Sequence, residues 1–336
     1  MTPTRRSCAA ALAISLLGLG AVACGDDDSA RGGETQPMTL MLNWTPNTHH
    51  IGVYVAEQRG WYADAGIDLR IIEPASGGAP QALAAGRADI GISMAEEILP
   101  ARAAGIPVVS VATILPHNDS SLMSLADAGI TRPRDLEGKT YGGYGGPLET
   151  ELISQLVECD GGDPAKVEMI QIGDADYLAG LDRDLFDVVW VFSGWDAMRA
   201  NEVAKNPVNE IRFDDYFDCI PDWYTPLFMA SEATIADRSD MVRTFLAVTA
   251  RGYTAAIDDP AAAAADFLAA VPEADEALVE TSARYHAGMF VDDAVGPWGT
   301  QEAKVWTDFE AFALEAGLLT EPVDPAAAFT NDLLPG

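Results

Sequence analysis

Between Met41 and Glu73 the chain passes from an apolar run through a polar turn into a helical pattern, then back into an apolar run. That alternation limits it to a small set of α/β folds. The run 38–44 is apolar and meets Thr45-Pro46-Asn47-Thr48, where proline and asparagine stop a strand. Ile51, Val53, Tyr54, Val55 and Ala56 follow at helical spacing as far as Gly60, and Gly66 precedes a second strand at 67–73. A turn at the carboxyl end of a strand in an open α/β sheet is where such folds bind ligands. Asn43, Trp44 and His50 are therefore the first candidates for a site.

The pattern continues. Strands are expected at 38–44, 67–73, 88–93 and 108–114, and helices at 51–60, 77–86 and 95–104. Short apolar runs between amphipathic segments predict parallel strands covered by helices. The strand ending at Ser93 opens a second polar loop, Met94 to Glu97, which makes Ser93 a further candidate ligand contact. Residues 121–126 read as a strand leaving this first half. A second βα series then predicts strands at 140–144, 167–172 and 187–192, with helices at 147–159 and 174–181. Pro226–Ser231 is a further apolar strand, followed by helices at 238–256, 260–270, 273–288 and 300–315.

The segment LNWTPNTHHIGVYVAEQRGWYADAGIDLRIIEP resembles the opening of solute-binding proteins that deliver thiamine pyrimidine precursors to ABC importers, and of the related eukaryotic pyrimidine synthases. GRADIGIS, GIPVVSVATI, RDLEGKTYGGYGG and DVVWVF extend the similarity, which runs from Met38 to the C-terminus. The resemblance implies the type II periplasmic-binding-protein fold: two α/β lobes joined by two crossings, with a ligand cleft between them. Residues 38–127 and 226–336 would form lobe 1, and 128–225 lobe 2. Ligands favour clefts between domains, and the lobes would close on the solute by a hinge at the crossings.

Tyr141-Gly142-Gly143-Tyr144-Gly145-Gly146-Pro147 leads from a strand into a helix. Its glycines let a backbone approach a ligand, and free amides at a helix start hold anionic or polar groups. By itself the run is a tight turn; with the resemblance, Tyr144 and Gly145 become ligand-facing. Glu149 suits the helix dipole or contacts the ligand. Trp44, Trp190, Trp195, Trp223 and Tyr224 gather near strand ends and the return crossing, where aromatic rings would stack on a flat heterocycle. Trp190, inside its strand, is as well placed for the core. His50 resembles the turn histidine of the family, a ligand contact by that resemblance or otherwise a helix-start or packing residue. Asn43 stands where related pyrimidine binders have an aspartate, and Thr225 near a glutamate, so the solute need not be the same pyrimidine; riboflavin or another neutral heterocycle also fits.

The N-terminal pattern predicts a chain that works outside the cytoplasm. Arg5 and Arg6 precede the apolar segment 8–19, and small residues follow before Cys24, the pattern of a signal peptide at 1–23. Ala21-Val22-Ala23-Cys24 resembles a bacterial lipobox, which makes Cys24 the expected acylation site and membrane anchor. Ordinary cleavage beside a bystander cysteine is the alternative. Residues 24–37 read as an acidic tether. Removing the signal with its two arginines leaves 18 basic and 52 acidic residues, a net −34 that repels nucleic acid and anionic lipid. Cys159 and Cys219, both in lobe 2, are either bridged or two buried thiols. They offer no metal-site spacing.

These features predict a monomeric, lipid-anchored receptor for a small aromatic heterocycle, partnered by an ABC permease and ATPase, with neither cofactor nor metal. An enzyme is the contrasting class. Aligned back from Gly105-Ile106-Pro107-Val108, the cofactor-bearing lysine of the synthases falls at Ser93 and their sacrificial histidine at Glu97. Serine forms no Schiff base and glutamate supplies no imidazole. The cysteine-rich, iron-linked run of the synthases is also missing, with only Cys219 nearby. A ligand sensor for a membrane receptor would use the same fold.

Overall fold

The structure, a computed structural model, describes residues 35–74, 78–173 and 175–336. The expected signal peptide, Cys24 and most of the acidic tether lie outside these residues. In chain order the first half runs β1 (Gln36–Met41), α1 (Ile51–Gln58), α2 (Trp61–Asp64), β2 (Ile67–Ile72), α3 (Gly78–Ala84), β3 (Ile90–Ser93), α4 (Ala95–Ala103) and β4 (Val108–Thr113). Next come β5 (Ser120–Leu125), β6 (Thr140–Gly143), α5 (Pro147–Cys159), β7 (Glu168–Gln171), α6 (Tyr177–Asp182), β8 (Val188–Phe192) and β9 (Val208–Arg212). The chain ends with β10 (Leu227–Ser231), α7 (Glu232–Asp258), α8 (Pro260–Ala270), α9 (Glu276–Ala287) and α10 (Ala303–Glu315).

Two five-stranded sheets result, ordered β2-β1-β3-β10-β4 and β7-β6-β8-β5-β9. The orders match position for position. Each sheet carries one strand against the grain: β10 is antiparallel to β3 and β4, and β5 is antiparallel to β8 and β9. Each of these strands follows directly on a passage between the sheets. The α/β class with two sheets and two crossings is thus as the sequence implies.

Three differences have local causes. Strand β5, read above as leaving the first half, pairs wholly within the second sheet, so the first crossing is 114–119 rather than near 127. Leu122 faces the main core and Met123 a smaller one, and this period-two alternation fixes the strand between two covered faces. Strand β9 was not legible as a strand, because Val208-Asn209-Glu210-Ile211-Arg212 is a half-buried, polar edge. The first strand begins at Gln36 rather than at 38, since the Gln36 amide bonds the Gly66 carbonyl and its register with β2 starts there.

Helix ends follow their caps. Pro147 opens α5 and Pro260 opens α8, where Asp259 accepts the Ala262 amide at 3.0 Å. Cys159 and Cys219 form a disulfide with Cα atoms 5.9 Å apart, tying the end of α5 to the approach to the second crossing.

Helices α1 and α7 cross through two glycines: a Cβ on Gly252 would collide with the Gly52 carbonyl, and one on Gly52 with the Tyr253 ring. The Tyr253 hydroxyl in turn donates to the His49 carbonyl at 2.6 Å, so this crossing sets the height of the turn ahead of α1. Gly252→Ala should therefore destabilise the fold by about 1–3 kcal/mol, the usual cost of overpacking. Chemical denaturation of the two proteins measures it; an unchanged midpoint would contradict the close crossing.

Candidate binding site

The turn between β1 and α1 is held by its own polar groups. Asn47 Oδ1 accepts the His49 amide at 2.9 Å, and the Asn47 amide donates to His50 Nδ1 at 3.4 Å. With Nδ1 accepting, the His50 proton sits on Nε2, which donates to Asn43 Oδ1 at 2.9 Å. Burial first, and His49 second, lower the His50 pKa to about 3, so the ring is neutral. Both of its nitrogens are engaged inside the protein. His50 thus orients Asn43 instead of presenting a free nitrogen to a solute, and Trp44 stands 45% exposed beyond it.

The glycine-rich turn is filled from within. Glu149 accepts the amides of Tyr144 at 3.1 Å, Gly145 at 2.6 Å and Gly146 at 3.2 Å, together with the Tyr141 hydroxyl at 2.8 Å. The expected anion-holding amides are therefore taken by the side chain one turn into α5. Gly145 has φ +83° and its Cβ would strike Gln171, so glycine is required there by backbone and by space. Tyr144 is exposed, its hydroxyl 2.9 Å from that of Tyr177.

The aromatic residues separate into rim and core. Trp223 is fully buried, stacked on Phe309 at 5.4 Å, and Tyr224 is buried with its hydroxyl accepting the Glu302 amide at 2.7 Å. Neither is an open wall, because the second crossing passes directly over α10. Trp190 is half-buried, edge-on to Trp223 at 5.9 Å, and Trp195 is partly buried against the main core. Ser93 is buried and donates to Glu97 Oε2 at 2.6 Å.

Buried polar atoms without a partner point to a different centre. Six of them are His49 Nε2, Glu96 Oε2, Asn118 Nδ2, Ser120 Oγ, Trp223 Nε1 and Thr225 Oγ1. Five belong to the β1–α1 turn, the start of α4 or the two crossings, and the sixth, Ser120, opens β5 at the end of the first crossing. Those segments are joined: the Ala95 amide bonds the Tyr224 carbonyl at 3.0 Å, and the Asn118 amide bonds Asp222 Oδ1 at 3.0 Å. Unpaired buried polar atoms are costly, and their concentration in one place calls for an explanation. Burial raises the Glu96 pKa to about 8, with Glu97 adding to it and the backbone and Trp223 opposing it. At neutral pH Glu96 is a carboxylic acid, able to donate and to accept. Its Oε2 and the Trp223 indole face one another without closing a hydrogen bond.

Asp119, at the end of the first crossing, is fully buried and joins the two halves. Its Oδ2 accepts the Gly194 amide at 3.0 Å and lies 3.2 Å from His286 Nε2; its Oδ1 accepts the Tyr285 hydroxyl at 2.8 Å. Burial alone would raise its pKa, but the neighbouring His286 and His49 rings hold it well below the usual carboxylate range. The His49 ring meets Phe192 edge-on at 5.2 Å, so the carboxyl ends of the two sheets touch here. Two cavities, of about 450 and 330 Å³, lie elsewhere, lined by residues such as Gln36 and Asp237 or Arg102 and Thr320. Neither includes a predicted site residue. No local sequence signal marks Asn118, Asp119 or His286, and Glu96 is marked only by its place in the polar loop after the strand ending at Ser93.

His117 braces the hinge. Its Nδ1 is 2.7 Å from Asp222 Oδ2 in the second crossing, and its Nε2 is 3.0 Å from Asp292 Oδ2. The Asp222 hydrogen bond chiefly, with Asp292 adding and burial opposing, raises its pKa to about 9. A pKa raised on folding stabilises fully below the unfolded value of about 6.5 and is lost as pH rises through the folded one. Melting temperature should therefore fall between pH 6.5 and pH 9, and His117→Asn should flatten that slope. Because the side chain is 41% exposed, the effect is modest. An identical slope in both proteins would contradict the brace.

With this geometry in place, comparisons with known proteins set the family. The NMT1/THI5-like family model matches residues 47–263. A formylaminopyrimidine-binding protein of Halalkalibacterium halodurans is 26% identical, over 88% of this chain and 90% of the relative. A 4-amino-5-hydroxymethyl-2-methylpyrimidine phosphate synthase of Legionella pneumophila is 28% identical, over 66% and 70%. Among solved structures, the alkanesulfonate-binding protein SsuA of Xanthomonas axonopodis pv. citri superposes with a TM-score of 0.66 at 15% identity, covering 88% of this chain and 99% of that one. The fold is that of the periplasmic binding proteins, and the chain belongs to the NMT1/THI5-like family.

Proposed function

We propose that this chain is the solute-capturing component of an ABC importer, working outside the cytoplasm and held to the membrane by a lipid on Cys24. The solute is a small aromatic heterocycle, of the hydroxymethylpyrimidine or formylaminopyrimidine type, with a riboflavin-like compound as the alternative. The chain acts as a monomer, binds no nucleic acid, and passes the solute unchanged to a permease and its ATPase.

The observation that carries this reading is the set of unpaired polar atoms at the two crossings, next to Trp190. A pyrimidine edge presents ring nitrogens that accept and an amine that donates. The neutral carboxyl of Glu96 can answer both, and the Trp223 indole donates beside it. Admission of a solute requires the halves to part at the His49–Phe192 contact, a hinge motion about the crossings. Against catalysis of the synthase type, Ser93 offers a hydroxyl already bonded to Glu97 and no amine for a Schiff base.

Native mass spectrometry of protein purified from rich medium should reveal one bound heterocycle, chemically intact after release. Trp190→Ala should then weaken binding about 2–10-fold, the worth of one aromatic pair. Affinity should also fall as pH rises through about 8, where Glu96 ionises, and Glu96→Gln should remove that dependence. A released compound altered by the protein would overturn the reading, as would variants that bind like the parent at every pH.

A further inference from the structure

Among the described residues, one group of histidine and carboxylate side chains brings three donor atoms within 4.8 Å of one another: His49, Asp119 and His286. They come from the β1–α1 turn, the first crossing and α9. All three are buried, at 3%, 0% and 0% exposure. Asp119 Oδ2 is 3.2 Å from His286 Nε2 and 3.7 Å from His49 Nε2. Donors around a tetrahedral zinc-class ion, at about 2.0–2.1 Å each, lie about 3.3 Å apart; the two separations to Asp119 bracket that span, and the two imidazole donors lie within 4.8 Å of each other.

The hydrogen-bond directions around the group are informative. Ser282 has one proton and donates it to the Gly194 carbonyl. In its short contact with Thr48, Ser282 therefore accepts, and Thr48 donates. With its proton used, Thr48 Oγ1 accepts from His286 Nδ1 at 3.0 Å. That places the His286 ring proton on Nδ1, and a neutral ring then turns a bare Nε2 lone pair toward the Asp119 carboxylate. Two electron-rich atoms at 3.2 Å need a cation between them, either a proton shared with the ring or a metal ion. His49 Nε2, also buried and without a partner, faces the same oxygen. The outer partners are those of ligated residues: a hydroxyl on His286 Nδ1 and the Tyr285 hydroxyl on Asp119 Oδ1 at 2.8 Å. The Gly194 amide also donates to Asp119 Oδ2, and a carboxylate oxygen has a second lone pair for that bond.

We propose that His49 Nε2, Asp119 Oδ2 and His286 Nε2 bind one divalent transition ion of the zinc class, with a fourth position left for water or a solute atom. Imidazole and carboxylate donors suit such ions. The ion would fasten the first turn, the crossing and α9 at the point where Gly194 of the other half docks. The site stands independently of which solute is captured.

Protein stripped with a chelator and shown folded by circular dichroism would be dialysed against Zn(II) and assayed by elemental analysis. One equivalent should bind, and His49→Ala and His286→Gln should each weaken binding at least 10-fold. Because either variant could misfold, a readout on the parent is needed: Co(II) should shift the ring-proton NMR signals of His49 and His286. Among all four histidines, His117 should stay unshifted. The proposal fails if the folded parent binds no Zn(II), which would leave a proton on His286 as the cation. It fails equally if both variants bind undiminished, or if His117 is the shifted ring.

Discussion

A carboxylate with no access to water has to be compensated, and the burial of Asp119 at the first crossing imposes that demand on both halves of this protein. The Gly194 amide answers from the second sheet's side and the Tyr285 hydroxyl from α9, where His286 Nε2 also stands 3.2 Å from the carboxylate. Arg212 in β9 extends the network by donating to the Tyr285 hydroxyl at 2.5 Å. Losing any one partner would leave a buried charge short of a bond, which is far costlier than losing an exposed ion pair. The halves are consequently keyed to each other through hydrogen-bond geometry as well as apolar contact.

Around that key the structure sorts polar groups into two kinds. Some that look available in sequence are consumed locally: His50 by Asn43 and Asn47, and the glycine-turn amides by Glu149. Others that look unremarkable are buried and left unpaired, Glu96 and Trp223 foremost. Consumed groups shape the turns; unpaired ones retain the capacity to recognise something. The functional reading therefore shifts from the tips of the loops toward the crossings themselves.

Much of the architecture was legible. Helices α5 and α8 fall where proline and their spacing place them, and the strand–helix alternation gives the fold class. What eluded the sequence is non-local. The sheet that owns β5 depends on pairing with β8 and β9, which lie far along the chain. Glu96, in the first turn of a helix, would ordinarily be solvated; it is covered only because the second crossing lies on α4. Trp223 and Tyr224 carry the same aromatic signature as Trp190, yet α10 packs over them and takes them into the core. His286 reaches His49 and Asp119 only through tertiary folding, so no spacing rule could find the three together.

Hydrogen–deuterium exchange with and without the captured solute tests most directly whether recognition occurs at the two crossings. Residues 93–97, 117–120, 190–195 and 223–225 should gain protection together, because a solute held there contacts both halves at once. Protection confined to one half, or centred on the outlying cavity beside Gln36 and Asp237, would contradict the account.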